Sequence, residues 1–144
     1  MSKDKLQPAR KEHDGKMSKT PFQVIDRCQS YESLLYIYTS KAEKEYRNNI
    51  CRKLQDLGCE MIHSARLANS IKLHDPDRQE VHAHTLEYME KINHLLPVLR
   101  RCRCISINQE SELQKKLGSI KWGYNKWIES DIRRLQSDGT LKKQ

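Results

Sequence analysis

Nowhere in this 144-residue chain does an apolar run approach the roughly 20 residues that a membrane-spanning helix requires. The opening residues carry charges where a secretory signal would place its apolar region. Both features lead to the expectation of a cytoplasmic protein with no membrane partner. Glycine and proline are scarce, with 5 and 4 residues. None of them builds a phosphate-cradling glycine loop, a nucleophile elbow or a glycine-rich hairpin turn. No carboxylates are spaced so as to converge. Five cysteines, an odd number scattered through helical segments, do not form the even framework of a secreted disulfide scaffold, and they read as reduced thiols. His82 with His84 and Cys102 with Cys104 are the residue types that zinc prefers. A spacing of two on a helix, however, sets paired side chains about 160° apart. No metal site, cofactor or catalytic residue is therefore expected.

What the chain has in excess is positive charge: 27 Lys plus Arg against 19 Asp plus Glu, a formal net charge of +8 and an isoelectric point near 9.3. That balance favours anionic partners, nucleic acid first. Its alternative meaning is solubility, and composition does not separate the two.

Residues 1–21 have few large apolar side chains and interspersed charges, the composition of a flexible basic tail. From Phe22 onward a helical rhythm begins. Val24, Cys28, Tyr31, Leu35 and Tyr38 recur at steps of three or four, predicting a first helix to about Thr39. Ile50, Leu54, Leu57, Met61, Ala65 and Ala68 predict a second from about Ala42 to Ile71. In "HDPDRQE", Asp75 suits a helix cap, Pro76 the first helical position, and Asp77 and Glu80 the positive end of the dipole. The third helix then carries Val81, Thr85, Met89, Ile92, Leu96 and Leu99, with a kink or early end expected at Pro97. Asn108 is the expected cap of a fourth helix running to about Leu135. The reading is an all-α, antiparallel four-helix bundle over residues 22–136, with tails at 1–21 and 137–144.

The segment "LGSIKWGYNKWIES" holds the chain's two tryptophans and also Gly118 and Gly123, each costing about 1 kcal/mol in a helix interior. Leu113, Leu117, Ile120, Tyr124 and Trp127 share one stripe; Trp122 projects from nearly the opposite side, among Lys115, Ser119, Lys126 and Arg133. On the second helix, Arg52, Cys59, His63 and Arg66 share an outward face. Lysines on a polar face are ordinarily solvated charge. A large ring among them marks a contact surface instead, where the cations meet phosphates and the ring stacks on a base or packs on a protein. Arg52, Arg66, Lys115, Lys126 and Arg133 are thus the candidate nucleic-acid contacts, with Gly118 and Trp122 the candidate interface residues. Gly118, one turn before Trp122, is expected to let the ring or another backbone approach, and Gly123 to lie where two helices meet.

The short first helix, the segment "KAEKEYRNNICRKLQDLGCEMIHSARLAN", a third helix and a fourth ending in "KWIES" resemble the accessory variability determinants of diversity-generating retroelements. They also resemble the related four-helix proteins encoded in intervening sequences of large-subunit ribosomal RNA genes. Trp127 and Ile128 match the end of a Gly-Gly-Trp-Ile pattern in that family's fourth helix, while Asn125 and Lys126 stand at the glycine pair. The resemblance, over about residues 22–132, implies a homo-pentameric basic barrel with no catalytic centre. It implies a protein that binds RNA, with DNA as a further ligand, together with a reverse transcriptase, and so supports mutagenic cDNA synthesis. The alternative is a helical-bundle ribonuclease or toxin acting on RNA, suggested by Arg78 and His84 at an arginine-to-histidine spacing found in such enzymes.

Overall fold

A computed structural model of the chain describes residues 19–139. Four long helices, α1 (Lys19–Thr39), α3 (Ile50–Ser70), α4 (Asp77–Arg101) and α5 (Ile107–Ser137), are joined by short connections, the first of which contains a one-turn helix, α2 (Lys44–Arg47). No strand occurs among the described residues. Each long helix borders two others: α3 packs on α1 and α4, and α5 on the remaining sides of the same two. The short connections make successive helices antiparallel, and side-chain ties join the neighbours. The Tyr31 hydroxyl donates to the Leu113 carbonyl (3.0 Å) and Tyr38 to Glu112 (2.6 Å) between α1 and α5. Gln55 donates to Thr39 (3.1 Å) between α3 and α1, and the Ser64 and Thr85 hydroxyls meet at 2.6 Å between α3 and α4. The chain is an all-α antiparallel four-helix bundle.

The apolar stripes account for this packing. Cys28, Tyr31, Leu35, Leu54, Met61, Ala65, Met89, Ile92, Leu96, Leu99, Leu113, Tyr124 and Trp127 are all buried in one continuous core. The expected second helix, in contrast, is interrupted. Asn48 and Asn49 form a turn, with Asn49 at φ −132° and ψ −97°, because short amide side chains compete for the backbone groups that a helix needs. The first helix starts three residues before the expected Phe22, at Lys19, with Pro21 buried in its first turn, where a missing N–H costs nothing. Residues 1–18 and 140–144, which hold most of the two expected tails, lie outside the described residues.

Helix ends follow capping chemistry. The Asp75 carboxylate accepts the Asp77 N–H (2.9 Å) at the start of α4, as its position suggested. Ser106, and not Asn108, caps α5: its hydroxyl accepts the Gln109 N–H (3.0 Å), and the Gln109 side chain accepts the Ser106 N–H (2.9 Å). This reciprocal Ser-x-x-Gln box satisfies two orphan donors that an asparagine inside the first turn cannot reach. Helix α4 continues through Pro97 to Arg101. Leu96 and Leu99 on either side of Pro97 are wholly buried, so packing outweighs the one lost backbone bond. Beyond it, Arg103 adopts a left-handed conformation (φ 64°), and the Cys104 N–H reaches back to the Leu99 carbonyl (2.8 Å), closing α4 as glycine-terminated helices do.

Glycine placement separates close packing from open space. A Cβ on Gly58 would stand 3.0 Å from Leu35 Cδ1 and 3.4 Å from Glu32 Cγ, whereas one on Gly118 would meet nothing within 4 Å among the described residues. Gly118→Ala is therefore expected to stabilise the chain by about 0.5–1 kcal/mol, the helix-propensity difference. Gly58→Ala should lose that gain to displacement of the buried Leu35. Chemical denaturation of both variants checks this, and equal gains would contradict the α1–α3 contact.

Candidate nucleic-acid interface

On α5 the 3.6-residue period that sends Leu113, Leu117, Ile120, Tyr124 and Trp127 inward turns Lys115, Ser119, Trp122, Lys126 and Arg133 outward, where all five are exposed. The two tryptophans are thereby divided: Trp127 is 2% exposed and Trp122 is 66% exposed. Lys126 Nζ lies 5.0 Å from the Trp122 ring centroid, within cation–π range, and 3.6 Å from Glu129. Both partners of that ion pair are half-exposed, so it does little to hold the lysine in place. The result is an aromatic plane set among exposed cations, a surface able to contact phosphates through charge and a base through stacking.

Arg52 and Arg66 are also exposed, beside Cys59 and His63 on the outer side of α3. The bundle does not bring them to the α5 residues, because α3 and α5 occupy opposite corners. The α3 face is also mixed in sign. Cys59 has its thiol raised by a hydrogen bond to Glu32, with burial and the charges of Glu32, Asp56 and Glu60 adding to it. The α5 surface is the more uniformly basic of the two.

Gly123 lies where expected, buried at the crossing with α1, 3.5 Å from Val24 Cγ2 measured from the place of its absent Cβ. Among the described residues, neither the Trp122 ring nor another helix comes within 4 Å of the place of the Gly118 Cβ. Gly118 borders an open groove of about 140 Å³ between α4 and α5, beside Met89, Asn93 and Lys121.

Where α4 begins and α5 ends, the core contains a charged cluster absent from the sequence reading. Asp131, wholly buried, accepts hydrogen bonds from Arg78 Nε (2.8 Å) and Nη2 (3.0 Å) and from His82 Nε2 (2.8 Å). Arg78 Nη1 donates to the Ile71 carbonyl (2.8 Å), and His82 Nδ1 pairs with the Tyr124 hydroxyl at 2.7 Å. The His82 and Trp127 rings meet edge to face with centroids 4.7 Å apart. Burial alone would raise the Asp131 carboxyl, but the hydrogen bonds and charges of His82 and Arg78 outweigh it and hold the carboxyl below the usual range. Burial raises the Tyr124 hydroxyl well above the tyrosine norm.

The signal for this cluster lay in the periodicity. Arg78 and His82 continue the stripe of Thr85, Met89 and Ile92 toward the N-terminus, and Asp131 follows Trp127 by one turn. The arginine and histidine suggested as a ribonuclease pair are separated: Arg78 is sealed against Asp131, while His84 is exposed and 3.8 Å from Glu87.

The cysteines are free thiols. Burial pushes Cys28 up to about 12. Cys104 is likewise pushed to about 12, by burial first and then by Cys51 and Cys102 beside it. No group of three His, Cys, Asp or Glu side chains able to hold a metal occurs among the described residues. The chain matches no family model, and no curated protein or solved structure is significantly similar to it.

Asp131→Ala leaves the buried Arg78 and His82 without their carboxylate and is expected to cost about 3–5 kcal/mol, whereas His84→Ala should stay within about 0.5 kcal/mol of the parent. Because the folded carboxyl lies below its unfolded value, its contribution is complete above that value and lost as pH falls through the folded one. Urea denaturation from pH 7 downward should therefore show stability falling in acid. Equal stability of the Asp131→Ala variant and the parent at pH 7 would contradict the clamp.

Proposed function

We propose that this protein is a non-enzymatic accessory factor that binds single-stranded RNA along the outward face of α5. The observation that carries this reading is Trp122, a ring 66% exposed on a helix otherwise able to bury its aromatics, with the Lys126 ammonium 5.0 Å from its centroid. Lys115 and Arg133 extend the positive charge along the same side. The chain's formal charge of +8 favours the approach of a polyanion.

In the context implied by the resemblance to accessory variability determinants, the RNA is the template of a reverse transcriptase. The protein works beside that enzyme as a homo-oligomer, a pentamer by the same resemblance, in the cytoplasm. The separation of Arg78 from His84 weighs against the ribonuclease alternative.

The test is a salt titration of binding to an unstructured oligoribonucleotide. Replacing Lys115, Lys126 and Arg133 together with Gln keeps helix propensity and should flatten the dependence of log affinity on log salt by about 2, at roughly 0.7 per lost contact on a single strand. Trp122→Ala should cost about 1–3 kcal/mol with little change of slope. Parent-like binding by the triple variant at every salt concentration would reduce this face to solvated charge, and a monomer mass by sedimentation at micromolar concentration would remove the oligomer.

A further inference from the structure

Beside the α5 face, the junction with α1 opens into a groove of about 260 Å³. Its floor is Tyr31 and Ile120, both buried, and the floor is held in place because the Tyr31 hydroxyl donates to the Leu113 carbonyl across the two helices. Its rim is polar and basic: Arg27 and Ser30 from α1, Lys116 and Ser119 from α5. Arg27 leans toward α5 over Gly123, its Nη1 4.0 Å from the place of the missing Cβ. It has no acidic partner within 4.0 Å among the described residues. Among the described residues the acidic partner of Lys116 is Glu112, at 3.8 Å and half-exposed, and that carboxylate also takes the Tyr38 hydroxyl at 2.6 Å.

The hydroxyls point the same way. Helical Ser and Thr commonly turn back onto a carbonyl of the preceding turn, as Ser33, Thr39, Ser70 and Thr85 do here. Ser30 and Ser119 make no such bond among the described residues and stand at the groove instead. Two cations and two uncommitted hydroxyls around one depression match the charge and the acceptor-only oxygens of a phosphodiester. Ser119 is also three residues from Trp122, a spacing that brings side chains to about 5–6 Å on one helix surface. The groove and the aromatic face therefore adjoin.

We propose that this groove is a phosphate subsite. It takes a backbone phosphate of single-stranded RNA between Arg27 and Lys116, with Ser30 and Ser119 donating hydrogen bonds, and so brings the adjoining base to Trp122. The proposal rests on the RNA-binding reading of α5. It adds a contribution from α1 that fixes the strand's path across the two helices.

Binding of a fluorescent unstructured oligoribonucleotide is measured across a salt series for the parent, Arg27→Gln with Lys116→Gln, Ser30→Ala with Ser119→Ala, and a charge-matched control, Arg52→Gln with Arg66→Gln on α3. All these side chains are exposed, and far-ultraviolet circular dichroism verifies the fold of each variant. The subsite requires the groove pair to lose at least tenfold in affinity and about 1.4 in salt slope, at 0.7 per contact. It also requires the serine pair to lose affinity at constant slope, and the α3 control to stay near the parent. Equal losses in the control and the groove pair would show undirected charge and overturn the subsite. So would parent-like binding by the groove pair alongside loss in the Lys115, Lys126 and Arg133 variant, which would leave the α5 face standing alone. A parent that binds no RNA overturns the subsite and the α5 reading together.

Discussion

A carboxylate shut away from water cannot stay charged without donors around it, and Asp131 has three: the Arg78 Nε and Nη2 groups and His82 Nε2. Those donors come from α4, so the requirement fixes both the rotation and the height of α5 against α4. Arg78 passes the constraint onward to the α3–α4 connection through the Ile71 carbonyl, and His82 passes it to Tyr124. With Asp131 facing inward one turn after Trp127, the helix has no freedom in what it shows outside. Trp122, Lys126 and Arg133 face solvent because Trp127 and Asp131 do not.

Much of the bundle was legible in the sequence, since a stripe of apolar residues at steps of three and four has a single physical meaning. Val24 to Tyr38, Leu54 to Ala68, Thr85 to Leu99 and Leu113 to Trp127 all point into the core or its margin. What escaped was governed by residues whose type argues against their place. Arg78, His82 and Asp131 are of types that are ordinarily exposed, and their partners lie 49 and 53 positions apart along the chain. The break at Asn48 and Asn49 lies just before Ile50, the first residue of the second helix's apolar stripe, so the spacing carried no sign of it. The cap of α5 was misplaced by two residues because Ser106 and Asn108 are both good caps, and only the reciprocal bond with Gln109 chooses between them.

The candidate surface divides in the same manner. Residues of one helix face could be grouped from spacing alone, and Lys115, Trp122, Lys126 and Arg133 do share a side. Whether two faces combine depends on which helices are neighbours, which spacing does not carry. Arg52 and Arg66 stand at the corner opposite α5, so an RNA strand that follows α5 would pass them by. Arg27, from a helix with no assigned binding role, is instead delivered to α5 by the closing contact of the bundle. On the proposed reading, the RNA path follows the α1–α5 seam.

The most direct measurement of that path is photo-cross-linking of a uridine-rich oligoribonucleotide to the unaltered protein, with the attachment sites located by peptide mass spectrometry. Attachment at Trp122 and on the α1 and α5 segments flanking their seam, with α3 unmarked, is the result this account predicts. Attachment confined to the Arg52–Arg66 side of α3, or spread evenly over every basic helix surface, would contradict it.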